Sequence, residues 1–416
     1  MVMYAGTLSS SKTGESFIGN IQGSAFTSNS TAVDSSGNSY HIGASGLIVK
    51  LNSRGDIQWQ VTWSAAQKSN GGNSLYINSS NQLVVCGADS SKFYVMVLNT
   101  STAAIVLQKE LSVDPNFSYY MAVHVDSNDN IYLAGSIDDV YRANSVLIKL
   151  NSSGTLVWAR ELSPVYSDLF AHSFATGVGT DSSSNVYIMG SVMGSDGGYD
   201  GYLIKYNSSG TLQWQRKFDA NYSGGAPYGV SMNVDSSGNC YVVYDGLGTI
   251  VGKVNSSGSL QWSAEISDQV FNSTYDGTNL YLLSTYSGTH TISKINGSTG
   301  ALILQRQLKY DTLSMSGAGI GHHSNHVYLS GRTGTTDINY LAKLPDDGSE
   351  LGGYLAASNQ DAWRYTTGST SYSSGLGSFW TYGTSTSLSS ATWSPTVSAS
   401  STTVTSANNT YYVRKI

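Results

Sequence analysis

One phrase recurs along the chain: KLNSSGTLVWAREL at 149–162, KYNSSGTLQWQRKF at 205–218 and KVNSSGSLQWSAEI at 253–266. Its asparagine falls at Asn52, Asn99, Asn151, Asn207, Asn255 and Asn296, and Pro345 takes the slot in a seventh copy, AKLPDDGSEL. Successive markers are 41 to 56 residues apart. A second phrase interleaves with the first, as VDSSGNSYHIGAS at 33–45, VDSNDNIYLAGSI at 125–137 and TDSSSNVYIMGSV at 180–192; it too is met seven times. Two independent phrases on one period mean a supersecondary unit that stacks on copies of itself.

Each unit reads as four short strands. In the fourth these are SFATGVGTD, NVYIMGSV, GYLIKYN and TLQWQRKF, within 173–218. Alternation and β-branched or aromatic residues mark the strands, and Ser/Asn/Gly clusters mark the turns. The Asp-Ser-Ser-Gly-Asn and Asn-Ser-Ser-Gly stretches are hairpin connections, with an Asx side chain capping the turn and Gly or Asn taking the positive φ. No segment carries a sustained 3.6-residue apolar stripe. Seven antiparallel units of this length predict an all-β fold, a seven-bladed β-propeller of four-stranded antiparallel blades over 25–357. The 1–24 segment is expected to help close the ring beside the seventh unit. Residues 358–416, Ser/Thr-rich with three of the eight tryptophans, are expected as a small appended β-rich module or an oligomerisation arm.

On these phrases the chain resembles the seven-bladed β-propeller repeat family found in bacterial surface and secreted proteins, and more weakly the quinoprotein-type propellers. The resemblance implies architecture and leaves function open, because propellers host lectins, scaffolds and enzymes.

The composition narrows the function classes. Charged residues are 12% of the chain, about half the usual share. Tyrosines (29) outnumber Lys plus Arg (21), and the net charge of −6 offers no pull toward nucleic acid or anionic lipid. Cys86 and Cys240, three blades apart, are expected as free thiols. No apolar run approaches the roughly 20 residues of a membrane span, and the start MVMYAGTLSSSKTGES lacks the pattern of a signal peptide. The NSS sequons follow from the turn phrase and carry no separate message.

Chemistry-bearing motifs are few. HHSNH at 322–326 sits where other units have their turn; it could hold Zn²⁺ or Ni²⁺, but with no Cys or carboxylate inside it the reading favoured is a turn, and no metal or cofactor is expected. DSNDN at 126–130 lacks the glycine and glutamate of a calcium loop and reads as a hairpin. Asp196 and Asp200 lie in SDGGYDGY, a glycine-rich stretch that could bind Ca²⁺ or a sugar or merely connect strands. Lysines recur at one repeat position, Lys50, Lys149, Lys205, Lys253, Lys294 and Lys343, with Val97 in the second unit. A ring of ammonium groups could hold an anion; the reading favoured is that each snorkels over its own blade. Trp59, Trp158, Trp214 and Trp262 are expected to pack against the next blade, with Val106 and Leu304 in their place in units two and six. Sialidase boxes, nucleophile elbows, phosphate loops and zincin motifs are absent from the sequence.

Function is therefore expected in loops that differ between blades, with Tyr119, Tyr120, Tyr166, Tyr199, Trp363 and Trp380 as candidate binding residues. The leading expectation is a non-enzymatic phage virion component, a tail or fibre adhesin or a capsid decoration, whose partners are other virion proteins or a host receptor or glycan, with homo-oligomer formation also open. A secreted or surface propeller lectin is the second reading and a propeller enzyme the third.

Overall fold

A computed structural model of the chain describes residues 16–22, 30–43, 46–64, 74–88, 92–112, 121–139, 142–164, 172–193, 198–220, 228–246, 248–310, 315–333 and 338–349, and eight backbone strands between Gly352 and Lys415. Seven antiparallel sheets stand in a ring, and each takes four consecutive strands from one repeat unit. Blade one spans 30–63, blade two 74–112, blade three 121–164 and blade four 173–220. Blade five spans 228–266, blade six 269–310, and blade seven 315–345 together with an N-terminal strand. The protein is a seven-bladed β-propeller without helices among the described residues, the architecture that the repeat predicts.

One apolar cluster fills each junction between neighbouring blades. At the fourth junction Tyr187, Met189 and Leu203 of blade four meet Cys240, Val242 and Ile250 of blade five. Burying each such aliphatic side chain stabilises the ring by about 1.5–3 kcal/mol. Cys86 and Cys240 are both buried free thiols, and burial pushes Cys86 up to about 12.

Turn chemistry follows the sequence closely. The Asp34 carboxylate accepts from the backbone N–H groups of Ser36 and Asn38, and Asn207 does the same for Ser209 and Thr211. Where the turn glycine is missing, Asn81, Asp129 and Ser184 take the left-handed conformation instead. DSNDN is one of these hairpins: Asp126 caps Asn128 and Asn130 and accepts the Tyr132 hydroxyl.

The ring closes through both ends of the described chain. Phe17–Gln22 pairs with Ile338–Pro345 as the fourth strand of blade seven. Thr410–Lys415 then pairs with the other edge of Phe17–Gln22.

The segment 358–416, expected as an appended module or an arm, takes a different course. Its described strands build no sheet of their own. Ala362–Thr367 joins blade six, Tyr372–Ser374 blade five, Trp380–Gly383 blade four, Leu388–Trp393 blade three, Thr396–Ala399 blade two, Val404–Ser406 blade one and Thr410–Lys415 blade seven. The chain thus travels back around the ring against the order in which the blades were laid down, adding one outer strand to each. Every fourth strand would otherwise present a row of unpaired backbone groups. In blades one to six the belt pairs the part of that row remote from the interstrand turn, for example Ala159–Pro164 in blade three, and in blade seven it pairs the whole of Phe17–Gln22. Short, charge-poor Ser/Thr strands suit backbone pairing, and Tyr372 in addition packs at the junction of blades five and six and donates its hydroxyl to Gly300 O.

Candidate functional site

The repeated phrases are built into the junctions. Tyr187, Lys205 and Trp214 stand abreast on three neighbouring strands of blade four. The Lys205 ammonium lies 5.1 Å from the centre of the Tyr187 ring and donates to the Ser256 carbonyl in the Asn-Ser-Ser-Gly turn of blade five. Trp214 Nε1 donates to the same carbonyl, also at 3.1 Å, so both lone pairs of one oxygen are used. The Tyr187 hydroxyl in turn donates to Asp181. Blades one and three repeat this latch: Lys50 and Trp59 reach Thr100 O at 2.8 and 2.9 Å, and Lys149 and Trp158 reach Ser208 O at 3.2 and 3.1 Å.

The lysines therefore neither form an anion-binding ring nor reach out to solvent. Lys50, Lys149, Lys205 and Lys343 each cross to the next blade past a tyrosine, and burial pulls Lys50 and Lys149 below the usual ammonium range against the opposing charges of Asp34 and Asp126. A signal for this was present in the sequence. The second unit alone has Val97 for the lysine, and it also has Val84 for the tyrosine; the two valines face each other. Tyrosine and lysine are thus replaced together because they form one cross-strand pair.

The indole N–H groups of Trp59, Trp158, Trp214 and Trp262 reach carbonyls of the adjacent blade. A Cβ on Gly210, in the turn of blade four, would lie 2.8 Å from the Trp158 ring, and its φ of +76° is one that glycine adopts freely. In unit six Leu304 holds the indole slot opposite Lys294. In unit two the slot belongs to Leu107 rather than Val106, since Leu107 faces Val97 and Val106 is exposed. The turn there is one residue longer, with Asn99 N–H bonded to Ala104 O where Asn207 bonds to Thr211 O.

Other candidates fare variously. Tyr119, Tyr120, Tyr166 and Asp196 lie outside the described residues. Trp363 and Trp380 fall on belt strands, opposite Tyr310 and Ala220, and their side chains are likewise outside the described set. Asp200 is not an open loop ligand: it is buried and paired with Lys217 at 2.8 Å. Tyr199 belongs to an aromatic run at the end of the ring opposite the latches. His172 stacks on Phe174 at 5.9 Å, Phe174 meets Tyr199 at 6.0 Å, and Tyr199 meets Tyr228 at 5.9 Å. Tyr228, at the start of blade five, is 44% exposed. The run crosses from blade four to blade five on the face that carries the longer interblade connections.

On the latch face one junction departs from the others. Between blades six and seven the turn reads Pro-Asp-Asp-Gly, which puts Asp346 where blades four and five have Ser208 and Ser256. Opposite it stands His322, which pairs with the residue just before the tyrosine of its own blade, the position held elsewhere by Val125 or Val234. His322 Nε2 is 2.9 Å from Asp346 Oδ2, and the imidazole stacks on Tyr281 at 4.7 Å. The single Tyr281 hydroxyl lies 2.9 Å from Asp276 Oδ2 and 2.6 Å from Asp346 Oδ2. Lys294 is drawn 3.4 Å from the same carboxylate oxygen, and its contact to the Asp346 backbone carbonyl stretches to 3.5 Å. Burial alone would raise Asp346, but the Tyr281 and His322 hydrogen bonds and the Lys294 charge hold it below the usual carboxylate range. Asp276, Lys294, His322 and Asp346 line an open crater of about 600 Å³ with Asn279 and Asn325. A separate cavity of about 850 Å³ runs down the axis between the inner strands, lined by Ser30, Thr31, Ser74, His124, Asn233 and Ser273 among others.

No protein-family model and no curated protein sequence matches the chain. Among solved structures it is similar to the polysaccharide lyase Uly1, with a TM-score of 0.51 and 8% identity over 77% of this chain and 90% of that one. It is also similar to BamB from Moraxella catarrhalis, with a TM-score of 0.43 and 14% identity over 76% and 85% of the two chains. At 8% identity the likeness to Uly1 is one of fold alone.

Proposed function

We propose that the protein is a non-enzymatic recognition and structural component of a phage virion, which binds other virion proteins or a host-surface protein or glycan through the face opposite the latches. One observation carries this reading. The acid–base side chains of the repeat are tied into blade-to-blade latches, whereas a partly buried aromatic run on the loop face ends in half-exposed Tyr228. Aromatic faces of this kind stack on sugars or apolar protein surface with little loss of conformational freedom. The charge-poor surface and the belt across the blade edges are suited to a particle outside the cell. Mass spectrometry of purified particles tests the location: the chain is expected among the particle proteins, and its consistent absence refutes that part of the reading. Glycan-array and pull-down measurements with Tyr199→Ala and Tyr228→Ala test the surface; binding that both variants retain in full refutes its role.

A further inference from the structure

We propose that Asp276, His322 and Asp346 form a binding site for one divalent transition-metal ion, of the zinc or nickel kind, at the junction of blades six and seven. This goes beyond the binding role proposed above and does not depend on it.

The donor atoms come from three separate turns or strand ends and all lie within 4.8 Å of one another. One imidazole nitrogen with two carboxylate oxygens suits borderline dications better than Ca²⁺ or Mg²⁺, which take all-oxygen shells. The open crater leaves room for water to complete the shell.

The site is also where the repeat breaks. Asp276 has counterparts in Asp34, Asp126 and Asp181, each satisfied by its own tyrosine. Asp346 and His322 depart from the repeat pattern, and they meet beside one tyrosine, His322 stacked on the Tyr281 ring and Asp346 at its hydroxyl. A tyrosine hydroxyl has one proton to donate, yet Tyr281 contacts both carboxylates, so one contact is two oxygens without a hydrogen between them. A cation shared by the two carboxylates removes that repulsion and leaves Tyr281 as a donor to a ligating oxygen, the usual supporting role around a metal. Lys294 does not obstruct it. In blades one, three and four the same lysine donates to the turn carbonyl at 2.8–3.2 Å, and that carbonyl stands ready 3.5 Å from Lys294.

The test is zinc titration of the full chain by calorimetry after chelation and dialysis at neutral pH, with Ca²⁺ and Mg²⁺ as comparison ions. One Zn²⁺ per chain with a Kd of about 1–10 μM is expected, corresponding to roughly 7–8 kcal/mol. Asp346→Ser and His322→Val each restore a residue that other blades carry, so both should fold; each is expected to weaken zinc at least about tenfold. His323→Asn, in the same turn but outside the donor set, is expected to leave the affinity within about twofold. Melting curves establish that the variants are folded, and zinc should raise the melting temperature of the parent chain but not of Asp346→Ser. Absence of saturable zinc binding by the parent chain, or undiminished affinity in folded Asp346→Ser, overturns the proposal.

Discussion

Phe17 stands opposite Lys343 in the pairing that closes the ring, the place that Trp158 holds opposite Lys149 in blade three. Its ring presses on Gly55 of blade one as the Trp158 indole presses on Gly210, and Lys343 donates to Ser53 O in that same turn. The closing junction is thus a latch whose aromatic arrives from the opposite end of the sequence. Phe17 is fully buried, so Phe17→Ala is expected to cost about 3–5 kcal/mol. Urea denaturation measures this, and a midpoint that does not move would show that the ring closes without the aromatic.

The two donors on Ser256 O should be coupled. Lys205→Met and Trp214→Phe each leave the carbonyl one partner, at a cost of about 1–2 kcal/mol apiece. The double variant leaves it none and is expected to lose about 0.5–1 kcal/mol more than the sum. A double-mutant cycle that closes additively would mean that the two donors do not share one acceptor.

Removal of the belt uncovers part of the outer strand in blades one to six and the whole of Phe17–Gln22 in blade seven. A chain ending at residue 361 is expected to melt at a lower temperature than the full chain and to associate on size-exclusion chromatography, since its blade edges can then pair with those of other copies. Identical melting and a clean monomer peak would argue that the belt strands add nothing to the ring.

Three histidines should make the protein sensitive to acid: His41 and His290 are buried, and His124 is half-buried beside the axial cavity. Burial holds His41 down to about 3, His124 to about 4 against the opposing Asp126 charge, and His290 to about 3, from an ordinary value of 6.5. The folded values lie below the unfolded one, so the unfolded chain takes up these protons first. The stability linked to them is complete above about pH 6.5 and declines as the pH drops toward 4, by up to about 1.4 kcal/mol per unit for each histidine. Urea midpoints at pH 7.5 and 5 check the slope, and His124→Gln should make it shallower. A midpoint that is flat across this range would mean that the rings are protonated in the fold.

The sequence by itself determined the number of blades, their four-strand make-up and the turn chemistry, because these are local and repeated. An Asx cap and a positive φ are decided within five residues, and a phrase copied sevenfold declares its period. Even the Tyr–Lys pair was legible in the joint change to Val84 and Val97. Only the tertiary structure decided the rest. Phe17 acquires its role from a partner beyond three hundred residues of chain, and the belt strands have no periodic signal because their partners are backbone edges supplied by each blade. The meeting of Asp276, His322 and Asp346 is of the same kind: no spacing in the sequence encodes it, since ring closure stacks turns from different blades face to face.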